Sequence, residues 1–191
     1  YYGSSGGLSA DVSWYSVNTQ PDSRAGHAVA TAGDTNGDGY SDILIGAPDY
    51  DSDGKDRGRI YLCFGSSTTP TCTWLFDGSR RGGRFGRTVS TAGDVNGDGY
   101  ADIVAGEPLA DVNGRDAGQA FVFYGGADTP AMGHGWAVRG RANALLGSAV
   151  GTAGDVNGDG YADVIVGSPN HTGTLMQEGH AAVYYGAAAG P

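Results

Sequence analysis

The ten residues at 33–42 read GDTNGDGYSD, and they return as GDVNGDGYAD at 93–102 and again as GDVNGDGYAD at 154–163. The leading aspartates Asp34, Asp94 and Asp155 lie 60 and 61 residues apart, and Trp14, Trp74 and Trp136 keep nearly the same step, 60 and 62. Aromatic-glycine pairs recur in phase at Phe64-Gly65, Tyr124-Gly125 and Tyr185-Gly186, with an earlier one at Tyr2-Gly3. A fixed period of this length is the signature of a repeat architecture, in which one supersecondary unit buries its apolar face against the next copy. The chain therefore reads as three copies of one unit, approximately 4–65, 66–125 and 126–186, within a single domain of 191 residues.

Each copy contains short segments suited to strands. In the second they are RFGRTVSTAG from Arg84, ADIVAGEP from Ala101, GQAFVFYG from Gly118 and GHGWAVRG from Gly133. They are rich in Val, Ile, Tyr, Phe and Trp and are bounded by Gly, Asp, Asn and Pro. No segment holds a helical period for ten residues. Four antiparallel strands per unit, repeated along the chain, predict an all-β fold of β-propeller blades.

The recurring loop places Asp34, Asn36, Asp38 and Asp42 at positions 1, 3, 5 and 9, with the Tyr40 carbonyl at position 7. The second copy supplies Asp94, Asn96, Asp98, the Tyr100 carbonyl and Asp102, and the third Asp155, Asn157, Asp159, the Tyr161 carbonyl and Asp163. Crowded carboxylates repel unless a cation sits among them. A cage of hard oxygens suits Ca²⁺, whereas Zn²⁺ would call for His or Cys and Mg²⁺ would keep more of its water. An EF-hand also opens DxNxDG, but its twelfth position, a bidentate Glu, is here Ile45, Ala105 or Val166, and an apolar strand follows instead of a helix. The expectation is three calcium hairpins, one between the first and second strands of each blade.

Charge agrees with this reading. Asp plus Glu number 21 against 11 Lys plus Arg, a formal net charge of -10, and three Ca²⁺ ions adding +6 would leave -4. So acidic a chain lacks the basic face that nucleic acid requires. No run of about 18 apolar residues is available to insert in a membrane. Extracellular calcium modules have dissociation constants of about 10⁻⁴ to 10⁻³ M, which favours a home outside the cell.

The unit resembles the FG-GAP repeat of the integrin alpha-subunit N-terminal β-propeller. The "FG" stands here as Ala25-Gly26, Phe85-Gly86 and Leu146-Gly147, and the "GAP" as Gly46-Ala47-Pro48, Gly106-Glu107-Pro108 and Gly167-Ser168-Pro169. The resemblance implies calcium-stabilised blades and an extracellular binding or adhesion role toward a protein or glycan. It implies a ligand face opposite the calcium hairpins, built from loops near Asp22, Arg80 and Asn143 and near Asp51, Asp111 and Thr174. Two readings stand beside it: a structural, self-assembling repeat with no ligand of its own, and the scaffold of an extracellular enzyme.

Cys63 ends a third strand and Cys72 opens the fourth across the turn SSTTPT, so they form either a hairpin disulfide or two buried thiols. A bridge would again point outside the cytoplasm. The acidic stretch from Asp49 departs from the ligand pattern at Arg57, and Arg80, Arg81 and Arg84 read as an exposed basic loop. His27, His134, His171 and His180 fall at unrelated places in the repeat, with no HExxH or GxSxG motif, so a non-enzyme is expected.

The ends of the chain are out of phase with its blades. It opens on the remains of a third strand at Tyr2-Gly3 and a fourth strand around Trp14, and stops after a third strand at Tyr185-Gly186. Three blades are too few for a ring, where about four to eight are usual. This reads either as a fragment of a longer propeller or as a homodimer whose offset ends exchange strands to close six blades.

Overall fold

The computed structural model describes residues 3–4, 7–8, 14, 20–53, 55–127 and 134–191. Its elements are all strands. β1 (Gly3–Ser4) and β2 (Gly7–Leu8) form a small antiparallel pair. β3 (Ala28–Gly33), β4 (Asp42–Ala47), β5 (Arg59–Phe64) and β6 (Thr71–Asp77) form the first large sheet. β7 (Thr88–Gly93), β8 (Asp102–Glu107), β9 (Gln119–Phe123) and β10 (Trp136–Arg139) form the second. β11 (Ala149–Gly154), β12 (Asp163–Ser168) and β13 (His180–Tyr184) form the third. Every pairing in them is antiparallel between consecutive strands, the meander expected of propeller blades. The fourth strand expected around Trp14 lies outside the described residues. No helix of the described residues is long and apolar enough to cross a membrane.

Local chemistry explains the strand ends. Each first strand closes on a bulge at Gly33, Gly93 or Gly154, with φ of 78°, 80° and 70°, where a side chain would be strained. The amide of that glycine donates to the hydroxyl of Thr31, Thr91 or Thr152 two residues earlier. The bulge turns the chain out of the ladder into the acidic loop, and pairing resumes at Asp42, Asp102 or Asp163.

The apolar faces are buried between sheets. Between the first and second, Phe85, Phe121 and Phe123 pack with Leu44, Ile60 and Leu62, the Phe85 and Phe121 rings meeting edge to face at 5.6 Å. Between the second and third, Val95, Val104, Val122, Val164 and Val166 form a smaller aliphatic layer beside a Trp136–Tyr184 contact at 4.8 Å. The turn entering each new blade is tied to the blade before it. Arg84 N donates to Asp56 O at 3.1 Å and Phe85 N to Arg57 O at 2.9 Å; Leu145 N and Leu146 N repeat these bonds to Asp116 O and Ala117 O at 3.0 and 3.1 Å. The first residue of the "FG", Phe85 or Leu146, is thus the plug that seats one blade on the next.

Candidate metal centres

The three acidic loops adopt one conformation. Asp34 Oδ1 accepts the amides of Gly37 and Asp38 at 2.7 and 3.1 Å, and its Oδ2 accepts Gly39 N at 2.8 Å. Asn36 Oδ1 accepts Asp38 N at 3.1 Å, and Asn36 Nδ2 donates to Asp38 Oδ2 at 2.9 Å. Asp94 and Asp155 make the same bonds in their own loops. Positions 1, 3 and 5 are therefore gathered around one turn. The amides facing Asp155, that of Gly160 foremost, hold its carboxyl below the usual range.

Position 9 is buried. Asp42, Asp102 and Asp163 are at most 1% exposed. Asp42 Oδ2 accepts Thr35 N at 2.9 Å and the Thr35 hydroxyl, while its Oδ1 accepts Gly65 N at 2.9 Å. Asp102 takes Val95 N and Gly125 N at 2.8 and 2.9 Å, and Asp163 takes Val156 N and Gly186 N at the same distances. Burial pushes the Asp102 carboxyl up to about 6; the amides of Gly125 and Val95 oppose this, and the charges of Asp98 and Asp94 add to it.

Among the described residues no three His, Cys, Asp or Glu side chains converge as a metal cluster. Asp42 is engaged instead by the amides of Thr35 and Gly65 and by the Thr35 hydroxyl. The donor set still fits a hard cation. It is all oxygen, three carboxylates, one amide and the position-7 carbonyl, and Asp34 Oδ2 and Asp42 Oδ1, which each accept one N–H, keep a second lone pair.

Sequence reasoning missed that the position-9 aspartates clamp the acidic loop to the glycine that follows the third strand. The signal was there: Asp42 to Gly65, Asp102 to Gly125 and Asp163 to Gly186 are each 23 residues. It also missed Glu107, wholly buried where the other copies carry Ala47 and Ser168. Its carboxylate accepts Gln119 Nε2 at 2.5 Å, Arg80 N at 3.2 Å and Ser79 Oγ at 3.3 Å, and burial raises its pKa against these bonds. Arg84, expected in an exposed basic loop, reaches Asp49 at 3.1 Å, and Arg24 meets the same carboxylate at 2.9 Å. Cys63 and Cys72 are cross-strand partners joined by a disulfide. Of the histidines, His134 meets Phe121 edge to face at 4.9 Å and His171 lies 5.0 Å from His180.

Comparison with known proteins locates the same units. The FG-GAP repeat model matches residues 25–63, 85–123 and 146–184, one segment to each large sheet. The chain is 35% identical over 165 residues to integrin alpha-IIb of Mus musculus, an alignment covering 75% of this chain and 14% of that protein. It is 41% identical over 109 residues to integrin alpha-PS2 of Drosophila melanogaster, covering 52% and 8%. It is 30% identical over 190 residues to phosphatidylinositol-glycan-specific phospholipase D of Bos taurus, covering 86% and 21%. The chain spans no more than 21% of the length of these relatives. Three matched segments in phase with three meander sheets place this chain in the FG-GAP repeat family.

Proposed function

We propose that the chain is a calcium-loaded, non-catalytic FG-GAP module for extracellular binding or adhesion. Its partners on this reading are a protein or glycan ligand and a second copy of the chain. The observation that carries it is the identical turn built by Asp34, Asp94 and Asp155 at one end of the three sheets. A divalent ion at each turn is held by Asp34, Asn36, Asp38, the Tyr40 carbonyl and Asp42 and by their counterparts in the other two loops. The ion neutralises charge there and so stiffens the hairpin. Binding to the folded chain alone stabilises it by mass action.

The opposite end of the sheets suits a ligand. One cleft there, of about 430 Å³, is lined by Asp22, Arg24, Asp49 and Lys55; another, of about 550 Å³, is lined by Arg115, Asn143, Asn170 and Met176. Both lie between loops that the resemblance to integrin-like propellers assigns to the ligand face. Leu175 and Met176, 69% and 87% exposed, add an apolar tip to an otherwise polar surface.

Calorimetric titration with Ca²⁺, paired with melting in calcium and in chelator, tests the metal. Three ions per chain and a higher melting temperature in calcium are expected; identical melting in both would contradict the reading. Protein and glycan arrays test the ligand, and substitutions at Asp51, Asp111 and Thr174 should abolish array binding without lowering the melting temperature.

A further inference from the structure

The sequence holds four Asn-Gly pairs: Asn36-Gly37, Asn96-Gly97 and Asn157-Gly158 in the acidic loops, and Asn113-Gly114 in the loop between β8 and β9. In such a pair the glycine nitrogen reaches the asparagine side chain with least obstruction, because glycine brings no Cβ and its backbone turns freely. In the three acidic loops that nitrogen is tied down. Gly37 N, Gly97 N and Gly158 N donate to the Oδ1 of Asp34, Asp94 and Asp155 at 2.7, 2.7 and 2.6 Å. Their asparagines are held as well, with Nδ2 donating to Asp38, Asp98 and Asp159 Oδ2 at 2.9, 2.9 and 2.8 Å. The carboxylates gathered there also repel hydroxide and any anionic intermediate.

The fourth pair is built differently. Asn113 and Gly114 are exposed, and among the described residues nothing accepts the Gly114 amide. Gly114 has a φ of 114°, and the Ala142 methyl lies 2.8 Å from where a Cβ would stand, so the position demands glycine. Asn113 Nδ2 donates to Gly140 O at 3.0 Å, which ties this loop to the residue after β10. Beside that tie Asn143 N donates to Arg115 O at 2.7 Å and Leu145 N to Asp116 O at 3.0 Å. The same four residues line the cleft of about 550 Å³.

We propose that Asn113 is a self-modification site, deamidating in the folded chain while the three loop asparagines stay intact. The Gly114 nitrogen attacks Asn113 Cγ, a C–N bond forms and the Cγ–Nδ2 bond breaks, and the Gly114 proton leaves with Nδ2 as ammonia. Water then opens the succinimide at either carbonyl to give aspartate or isoaspartate; nothing is oxidised or reduced. The ammonia is lost, so the change does not reverse. The leaving nitrogen is the one that holds Gly140 O. Its loss sets a carboxylate against a carbonyl, two acceptors with no hydrogen between them, and isoaspartate also lengthens the main chain by a carbon. The cleft wall at Arg115 and Asp116 is thereby loosened from Asn143 and Leu145.

Peptide mass mapping of the folded chain after incubation in mildly alkaline buffer tests the reaction. The peptide holding Asn113 should gain the mass of amide-to-acid exchange, part of it as isoaspartate, at least about tenfold faster than those holding Asn36, Asn96 and Asn157. In urea the four should react at similar rates, because only the fold separates them. A folded Asn113 that stays intact, or four pairs that react alike in the folded chain, would overturn the proposal. Hydrogen exchange reads the consequence. Asn113→Asp supplies one product directly and should speed exchange of the Asn143 and Leu145 amides, and the incubated wild type should move the same way. Unchanged exchange at both amides would overturn the loosening of the cleft wall. Neither measurement depends on the metal or on the array ligand, so failure here is distinct from failure of the proposed function.

Discussion

Asp42, Asp102 and Asp163 hold backbone amides from two directions, so their carboxylates matter to the fold before any ion arrives. Removing one leaves buried N–H groups unpaired, each at a cost of about 1–3 kcal/mol. Asp42→Ala, measured by urea unfolding in chelator so that no metal contributes, should lower stability by roughly 2–4 kcal/mol. Glu107 gives a pH signature. Its folded-state pKa is raised above the ordinary 4.5 by burial, so its contribution is fully present below 4.5 and is lost as pH rises through the raised value. Glu107→Gln keeps the shape and drops the charge. It should therefore melt higher than the wild type at neutral pH, with the gap closing on acidification; an equal gap at both pH values would count against a buried, ionisable Glu107. Position-9 aspartates were legible in the sequence as acidic loop residues, but not as clamps, because the second amide each holds lies 23 residues on, just past the third strand. Glu107 was hidden inside a tripeptide whose usual middle residue is small.

At the scale of the element, the strands were readable because composition and punctuation agreed. β8 and β9 carry continuous Val, Ile, Ala and Phe runs, and both are buried throughout. β4 begins at the ninth loop residue, where an EF-hand would have begun a helix. What the sequence could not show is which blade each aromatic serves: Phe85 precedes β7 yet plugs the first sheet through Phe76, at 5.6 Å. Such packing depends on the rotation between sheets, which no local pattern encodes. Phe85→Ala should cost about 3–5 kcal/mol in denaturant unfolding, as for other buried aromatics. Leu146→Ala, at the equivalent plug of the second junction, should cost less, about 2–4 kcal/mol, because the side chain is smaller and 9% exposed. The Cys63–Cys72 bridge closes a short hairpin loop, and reducing it should cost at most about 2–3 kcal/mol, visible as a lower melting temperature in reductant.

Across the whole molecule, each blade touches only its neighbours, so stability is close to a sum of blade and junction terms. The formal charge of -10 opposes that sum. Added monovalent salt should raise the melting temperature of the calcium-free chain by screening. Saturating calcium should shrink the effect, since the ions then do the neutralising; an equal salt dependence in both states would argue against ions at the loops.

The bonds from Ala101 N to Asp34 O and from Ala162 N to Asp94 O cross the boundaries between blades. Their hydrogens are therefore timekeepers for separation of neighbouring sheets, as distinct from fraying within one. In deuterated water, the amides at 101 and 162 should exchange together with the other cross-boundary amides, at a rate set by opening of that boundary. The amide of Ser41, an exposed residue at the same place on the first sheet, should exchange faster. The lag between them measures, site by site, what a neighbouring blade adds.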